Sequence, residues 1–240
     1  MSKHFDNNCY LKPPLISIRN ANSAYLITDP YLFNIIVQKH LLTTKLKSIF
    51  GVINLYRHPQ FPEQTIFAGP APGSALTAIA IETLIYSGIN EIIQIGTCGD
   101  LTGNRNLGDI LIPSKSISVD GIALTYSKNT NLFYPSKEHL DCFESKINAE
   151  SSIVASTDAI FLETFIRLQE IIELGADSIE MESAASFCVS SLREVNCSSI
   201  HLVSDRLEKN KIISGFSRKN FRTKCFSFLE TITQSPFLLQ

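Results

Sequence analysis

The chain has no apolar run approaching the roughly 20 residues that a membrane-spanning helix needs. It has almost no excess charge either. Its 21 lysines and arginines against 23 aspartates and glutamates leave a formal net charge of −2, which gives no electrostatic case for nucleic acid or an anionic membrane as partner. Six cysteines (Cys9, Cys98, Cys142, Cys188, Cys197 and Cys225) lie without CxxC spacing, mostly in apolar segments. That pattern argues against a disulfide framework or a zinc site and for reduced, buried thiols. The opening residues, Met-Ser-Lys-His-Phe-Asp-Asn-Asn, carry no apolar stretch of the secretory type, so a cytoplasmic protein is the expectation. No P-loop, dinucleotide-binding GxGxxG or GxSxG elbow occurs, which sets aside the common nucleotide-binding and hydrolase signatures. No internal repeat or low-complexity linker divides the chain, so residues 1–240 are expected to form a single domain.

What is present is an alternation of short apolar runs with helical patterns. Ala24 to Ile27 reads as a strand, and residues 31–42 as a helix with Leu32, Ile35, Ile36 and Leu41 near helical spacing. The runs Ser48–Tyr56 and Thr65–Ala68 read as an antiparallel pair. A Gly/Pro turn at 69–73 leads into a helix over 76–86, closed by Ser87-Gly88. Glu91 to Ile95 reads as a central strand, with Gly96-Thr97-Cys98-Gly99 as the loop at its end. Strands are then expected over 109–113, 114–119 and 153–155, a helix over 159–174, a strand over 200–203 and a closing amphipathic helix carrying Phe221, Cys225, Phe228 and Leu229. This order implies an α/β fold: a mixed, mostly parallel sheet with helices on both faces.

One stretch organises the rest. Glu180 and Glu182 sit at the start of a helix pattern, and Asp205 follows the apolar run Ile200–Val203. Ligands bind where the carboxyl ends of parallel strands meet, so Glu182 and Asp205 are expected to face one pocket. Taken singly, each has a structural use: a first-turn Glu favoured by the helix dipole, and an Asp at a turn.

The full pattern carries more. Glu180-Met181-Glu182-Ser183-Ala184-Ala185 followed by Val203-Ser204-Asp205 resembles the nucleoside phosphorylase superfamily, which includes purine nucleoside and uridine phosphorylases and methylthioadenosine nucleosidases. Ile95-Gly96-Thr97-Cys98-Gly99-Asp100-Leu101 resembles the phosphorylase branch. The resemblance implies cleavage of a purine-type nucleoside at its N-glycosidic bond, through an oxocarbenium-like sugar. It assigns the ribose hydroxyls to Glu182, with Met181 packed on the sugar, and an acceptor-only carboxylate suits a vicinal diol. It assigns protonation of the leaving base to Asp205 as general acid, and uridine phosphorylases typically lack that Asp. Glu180 and Ser204 in the same motifs, and Gly96 and Thr97 on the sugar side, join the substrate-binding set. Phe161, in Ser156-Thr157-Asp158-Ala159-Ile160-Phe161, matches the position whose ring stacks on the base.

The chain departs from the family at the phosphate site. Phosphorylases carry Gly-Asp-Pro-x-Arg, and here the run is Thr28-Asp29-Pro30-Tyr31-Leu32. Gln94 stands where a second arginine is usual, and no arginine lies near Phe50 or Gly51, where a neighbouring subunit gives a third. Leu and Gln cannot replace bidentate arginine–phosphate bonds. Asp29, Ser74 and Gln94 are the residues left on the nucleophile side. The N-terminal histidine of phosphorylases matches Tyr10 here, with His4 too early. The resemblance implies no metal or organic cofactor, with water or phosphate as second reactant. It also implies a homodimer or hexamer with sites at subunit contacts. A catalytically weak or inactive nucleoside-binding protein of the same fold is the alternative.

Overall fold

The computed structural model describes residues 10–18, 20–39, 42, 44–209 and 211–233, so Cys9 and His4 lie outside the described residues. In chain order the first half holds β1 (Ser23–Ile27), α1 (Pro30–Gln38), β2 (Thr44–Ile49), β3 (Ile53–Arg57), β4 (Thr65–Gly69), α2 (Ser74–Tyr86), β5 (Glu91–Asp100) and β6 (Ile110–Ser118). The second half holds α3 (Ala123–Tyr126), β7 (Leu132–Phe133), α4 (Lys137–Lys146), β8 (Glu150–Ser156), α5 (Phe165–Glu173), β9 (Ser178–Glu180), α6 (Ser183–Leu192), β10 (Asn196–Glu208), β11 (Lys211–Ser214) and α7 (Phe221–Thr233). No helix among the described residues is long and apolar enough to cross a membrane.

β1 is buried along its whole length, and its alternating side chains supply two cores. Ala24 and Leu26 pack with Ile81 and Leu84 of α2 and with Phe187 and Val189 of α6. Tyr25 and Ile27 face the other way, onto Leu32 and Ile36 of α1 and Phe228 and Leu229 of α7. Helices therefore cover both faces, as the alternating pattern implies.

β4, β1, β5 and β10 pair in parallel, as do β6, β8 and β9. Antiparallel pairs β5–β9 and β10–β6 join these groups, so β5, β10, β6, β8 and β9 form a closed ring of pairings. That ring removes free edges at the centre of the sheet.

Several elements differ from the sequence reading. The run Ser48–Tyr56 is split by a turn: Phe50 and Gly51 both have positive φ, and the Val52 N–H donates to the Ile49 carbonyl at 3.0 Å. β2 and β3 thus form a hairpin, and β3 then pairs antiparallel with β4. α1 ends at Gln38, where the Lys39 N–H returns to the Ile35 carbonyl. The two strands expected over 109–119 are one strand, β6, with a register shift between Pro113 and Lys115. Proline has no N–H for the ladder, so the irregularity falls there. The helix expected over 159–174 is a 3₁₀ turn, Ile160–Leu162, and then α5, whose cap Thr164 accepts from the Arg167 N–H at 3.3 Å. The Gly96–Gly99 loop is also strand: β5 runs to Asp100 because β10 pairs along it.

Candidate active site

The register of three parallel strands builds the site. Ile27 of β1 and Ile200 of β10 both pair with Ile95 of β5, so the chain beyond each emerges at one end of the sheet. A cavity of about 370 Å³ opens there, lined by Thr28, Asp29, Thr97, Met181, Glu182, Ser204 and Asp205 among others. Asp205 lies within β10 rather than after it. Val203 pairs with Cys98 and Asp205 with Gly99, which leaves Ser204 as the extra residue of a bulge. Such a bulge re-aims the side chain that follows it. The Ser204 hydroxyl lies 2.7 Å from Asp205 Oδ2 and 3.3 Å from the Cys98 carbonyl.

Glu180 and Glu182 do different work. Glu180 is the last residue of β9 and not the first of a helix, and its side chain is 1% exposed. Its Oε2 accepts the N–H groups of Glu182 and Ser183, each at 2.8 Å, and the Ser183 hydroxyl at 3.1 Å. Its Oε1 accepts the Ser156 hydroxyl, and Gln94 Nε2 stands 3.5 Å from Oε2. Glu180 therefore caps the first turn of α6 and satisfies the orphan amides of that helix. Burial raises its pKa, and this ring of donors opposes the rise. Glu180 borders the cavity, as a substrate-binding residue would, while both its oxygens also accept hydrogen bonds from inside the protein.

Glu182 keeps free acceptor capacity. Its Oε1 accepts the Gly73 N–H at 2.6 Å, and Thr28 Oγ1 lies 3.5 Å from Oε2. Gly73 sits at φ +80 before α2, the left-handed region that glycine tolerates, and there its N–H reaches Glu182. Burial, then the neighbouring Glu180, pushes the Glu182 carboxyl well above the ordinary carboxylate range, while the Gly73 N–H pulls the other way. Beneath the pair, burial holds His201 down to about 3, so its imidazole is neutral and cannot offset the carboxylates.

On the sugar side, Asp29 caps α1. Its Oδ1 accepts from the Tyr31 and Leu32 N–H groups at 2.7 and 2.9 Å, and its Oδ2 accepts the Thr97 hydroxyl at 2.7 Å. Gly96 lies under the cavity wall, where a Cβ would come within 2.9 Å of Thr28 Oγ1. Gln94 is fully buried below Glu180, with its Oε1 unpartnered, and does not line the cavity. Ser74 does not line it either: its N–H and hydroxyl are both held by Asp158, and its Oγ accepts the Ile122 N–H at 3.1 Å. Ser74 and Gln94 are thus corrected from nucleophile-side to supporting positions.

Phe161 is also corrected. It is 96% exposed and lies outside the cavity, because the 3₁₀ turn changes the phase that an α-helix would give. Ile160 and Glu163 of that turn line the cavity instead. Burial, followed by the charge of Asp205, raises the Glu163 pKa. The sequence signal for this break was Thr164, an N-cap residue type standing before the run Phe-Ile-Arg-Leu. Tyr10 is fully exposed in the single chain.

One wall is held by Arg105, which bonds Asp100 at 3.3 Å, Glu150 at 3.1 Å and Asp177 at 3.0 Å. Asp100 and Leu101 are cavity residues, so this buried cluster fixes the turn beyond β5.

The fold and the cavity define an α/β protein with a carboxylate-rich pocket at the carboxyl ends of parallel strands. The chain belongs to the phosphorylase superfamily, whose family model matches residues 29–233. It is 33% identical over 85 residues to the uridine phosphorylase of Escherichia coli K12, covering 35% of this chain and 32% of that one. It is 22% identical over 198 residues to a DeoD-type purine nucleoside phosphorylase of Exiguobacterium sibiricum, covering 78% and 83%. The matched stretch thus spans about a third of the length of the curated uridine phosphorylases. Its fold is similar to that of the Helicobacter pylori 5′-methylthioadenosine/S-adenosylhomocysteine nucleosidase, with a TM-score of 0.73 at 15% identity, covering 91% of this chain and 98% of that one.

Proposed function

We propose that this protein hydrolyses the N-glycosidic bond of a purine-type nucleoside, releasing free base and free sugar. The observation that carries the reading is that Glu182 and Asp205 line one cavity, with Met181 also in its wall and Ser204 held against Asp205. Glu182, raised in pKa by burial in the unliganded protein, ionises as the two ribose hydroxyls donate to it. Asp205 gives its proton to N7 of the purine as the C1′–N9 bond breaks, so the base departs neutral. General-acid help of this kind is worth about 10²–10⁴ in rate.

The character of the wall favours water over phosphate. Among the described residues lining the cavity, Arg206 is the single cation, against Asp29, Asp100, Glu163, Glu180, Glu182 and Asp205. Leu32, where phosphorylases have arginine, is buried in the core beneath α1, and Gln94 is packed under Glu180. A phosphate dianion would meet carboxylates with no bidentate partner on the sugar side. Asp29, joined to Thr97, takes a proton from water as the water oxygen bonds to C1′ in this reading. No organic cofactor or metal enters this reaction.

The exposed apolar edge formed by Ile160, Phe161, Leu162, Phe165 and Ile166 supports a homo-oligomer in which a second copy covers the rim of the cavity. The deciding experiment is chromatographic: the purified protein is incubated with adenosine, inosine, guanosine, uridine and methylthioadenosine, with and without phosphate. Equal release of purine base and free ribose sugar in both buffers is expected. Base released with ribose 1-phosphate only when phosphate is present would make the enzyme a phosphorylase, and no base from any nucleoside would refute the catalytic reading.

A further inference from the structure

Seven of the chain's 21 basic residues and one of its 23 acidic residues fall within 206–224, so an otherwise acidic protein carries a local concentration of positive charge. The fold gathers part of it around a second cavity of about 250 Å³, lined by Asn106, Leu107, Arg206, Arg218, Asn220, Phe221 and Lys224. Arg206 belongs to the walls of both this cavity and the one at Asp205.

The three cations are poorly neutralised. Arg206 pairs with the exposed Glu208 at 3.0 Å, while its buried Nε has no hydrogen-bond partner. Among the described residues, no side chain pairs with Arg218. Lys224 donates to the Leu107 carbonyl, a neutral acceptor, and its stem lies over Gly108. The positive end of the α7 dipole adds to the same wall, since α7 begins at Phe221. Like charges brought together around a hollow repel one another unless an anion lies between them. Guanidinium forks and an ammonium, with the Asn106 and Asn220 amides beside them, are the groups that hold an oxyanion.

We propose that this second cavity is an oxyanion site for a phosphate-type group, coupled to the cleavage pocket through Arg206. The half-open cavity of about 250 Å³ has room for a small anion. The anion is either free in solution or carried as a substituent of the nucleoside in the neighbouring pocket. The second of these rests on the proposed glycosidic reading, and the first does not.

The test uses the full chain at low salt and measures binding by calorimetry, without turnover. The probes are inorganic phosphate, adenosine and adenosine 5′-monophosphate, each with wild type, Arg218→Gln and Lys224→Gln. Both substituted side chains are exposed, so folding is not at stake. For a free anion, inorganic phosphate binds wild type and binds each variant about tenfold or more weakly, the loss expected for a charged hydrogen bond. For a tethered anion, wild type prefers adenosine 5′-monophosphate to adenosine, and the variants lose that preference. The proposal is overturned if wild type binds no phosphate and shows no preference, or if both variants behave as wild type. Asp205→Asn, tested with inorganic phosphate alone, separates the two readings: retained binding keeps the oxyanion site even if no nucleoside is ever cleaved.

Discussion

The two glutamates of the Glu180-Met181-Glu182 motif should separate cleanly in a pair of conservative substitutions. Glu180→Gln keeps shape and removes charge from a side chain that is 1% exposed. In the folded protein that carboxylate accepts two helix-end amides, two serine hydroxyls and the more distant Gln94 amide. The new amide must turn its NH₂ toward one set of these donors. If it faces Ser156, the hydroxyl there already accepts the Ala184 N–H, so one NH₂ hydrogen lacks a partner. An unsatisfied buried donor costs about 1–3 kcal/mol, and the bonds that lose their charge weaken as well. A total of roughly 2–3 kcal/mol corresponds to a Tm fall of about 4–12 °C for a chain of this size. Glu182→Gln should behave in the opposite way. Its amide oxygen still accepts the Gly73 N–H, and a buried ionisable group disappears, so Tm should hold or rise while nucleoside affinity is lost. Differential scanning fluorimetry and calorimetric titration with adenosine give both numbers for both variants. A Glu180→Gln protein as stable as wild type but unable to bind nucleoside would refute the capping role and return Glu180 to the ligand.

Three further outcomes follow from the same geometry. Asp205→Asn should lower turnover of purine nucleosides by about 10²–10⁴, or about 3–5 kcal/mol of barrier, with adenosine affinity largely kept; unchanged turnover would remove Asp205 from the chemistry. The unliganded protein should lose stability as pH rises from the ordinary glutamate value near 4.5, because burial and the neighbouring Glu180 raise the folded pKa of Glu182 above that value. That stability is fully present below the unfolded pKa and gone above the folded one. Scans of wild type and Glu182→Gln should therefore converge at acid pH and diverge toward neutrality, and parallel curves would count against a raised Glu182. Arg105→Ala leaves the buried Asp100 carboxylate without its cation and should cost about 3–5 kcal/mol, read as a lower midpoint in urea; a midpoint at the wild-type value would show the cluster to be neutral in balance.

What the sequence made legible was whatever depends on local pattern or on a motif held by close neighbours. The two-faced burial of β1 follows from an unbroken apolar run between helical patterns, and the amphipathic face of α7 from Phe221, Cys225, Phe228 and Leu229. The convergence of Asp29, Thr97 and Asp205 on one cavity follows from the parallel strands β1, β5 and β10 running to one edge, whereas Glu182 arrives there from β9, which is antiparallel to β5. What stayed hidden depends on partners far away in the chain. Gly96-Thr97-Cys98-Gly99 has the composition of a loop, and becomes strand because β10 lies alongside it. Glu180 and Glu182 are equivalent by spacing, and only the arrival of Ser156 from β8 and Gly73 from the turn before α2 makes one a cap and the other a free acceptor. The same holds for Phe161, whose outward position is set by a single 3₁₀ turn ending at Thr164. Composition hid the positive cavity in the opposite way. A net charge of −2 averages over the chain, whereas Arg206, Arg218 and Lys224 come together only when the end of β10 meets the start of α7. A charge balance near zero therefore says nothing about one small anion held between two neighbouring elements.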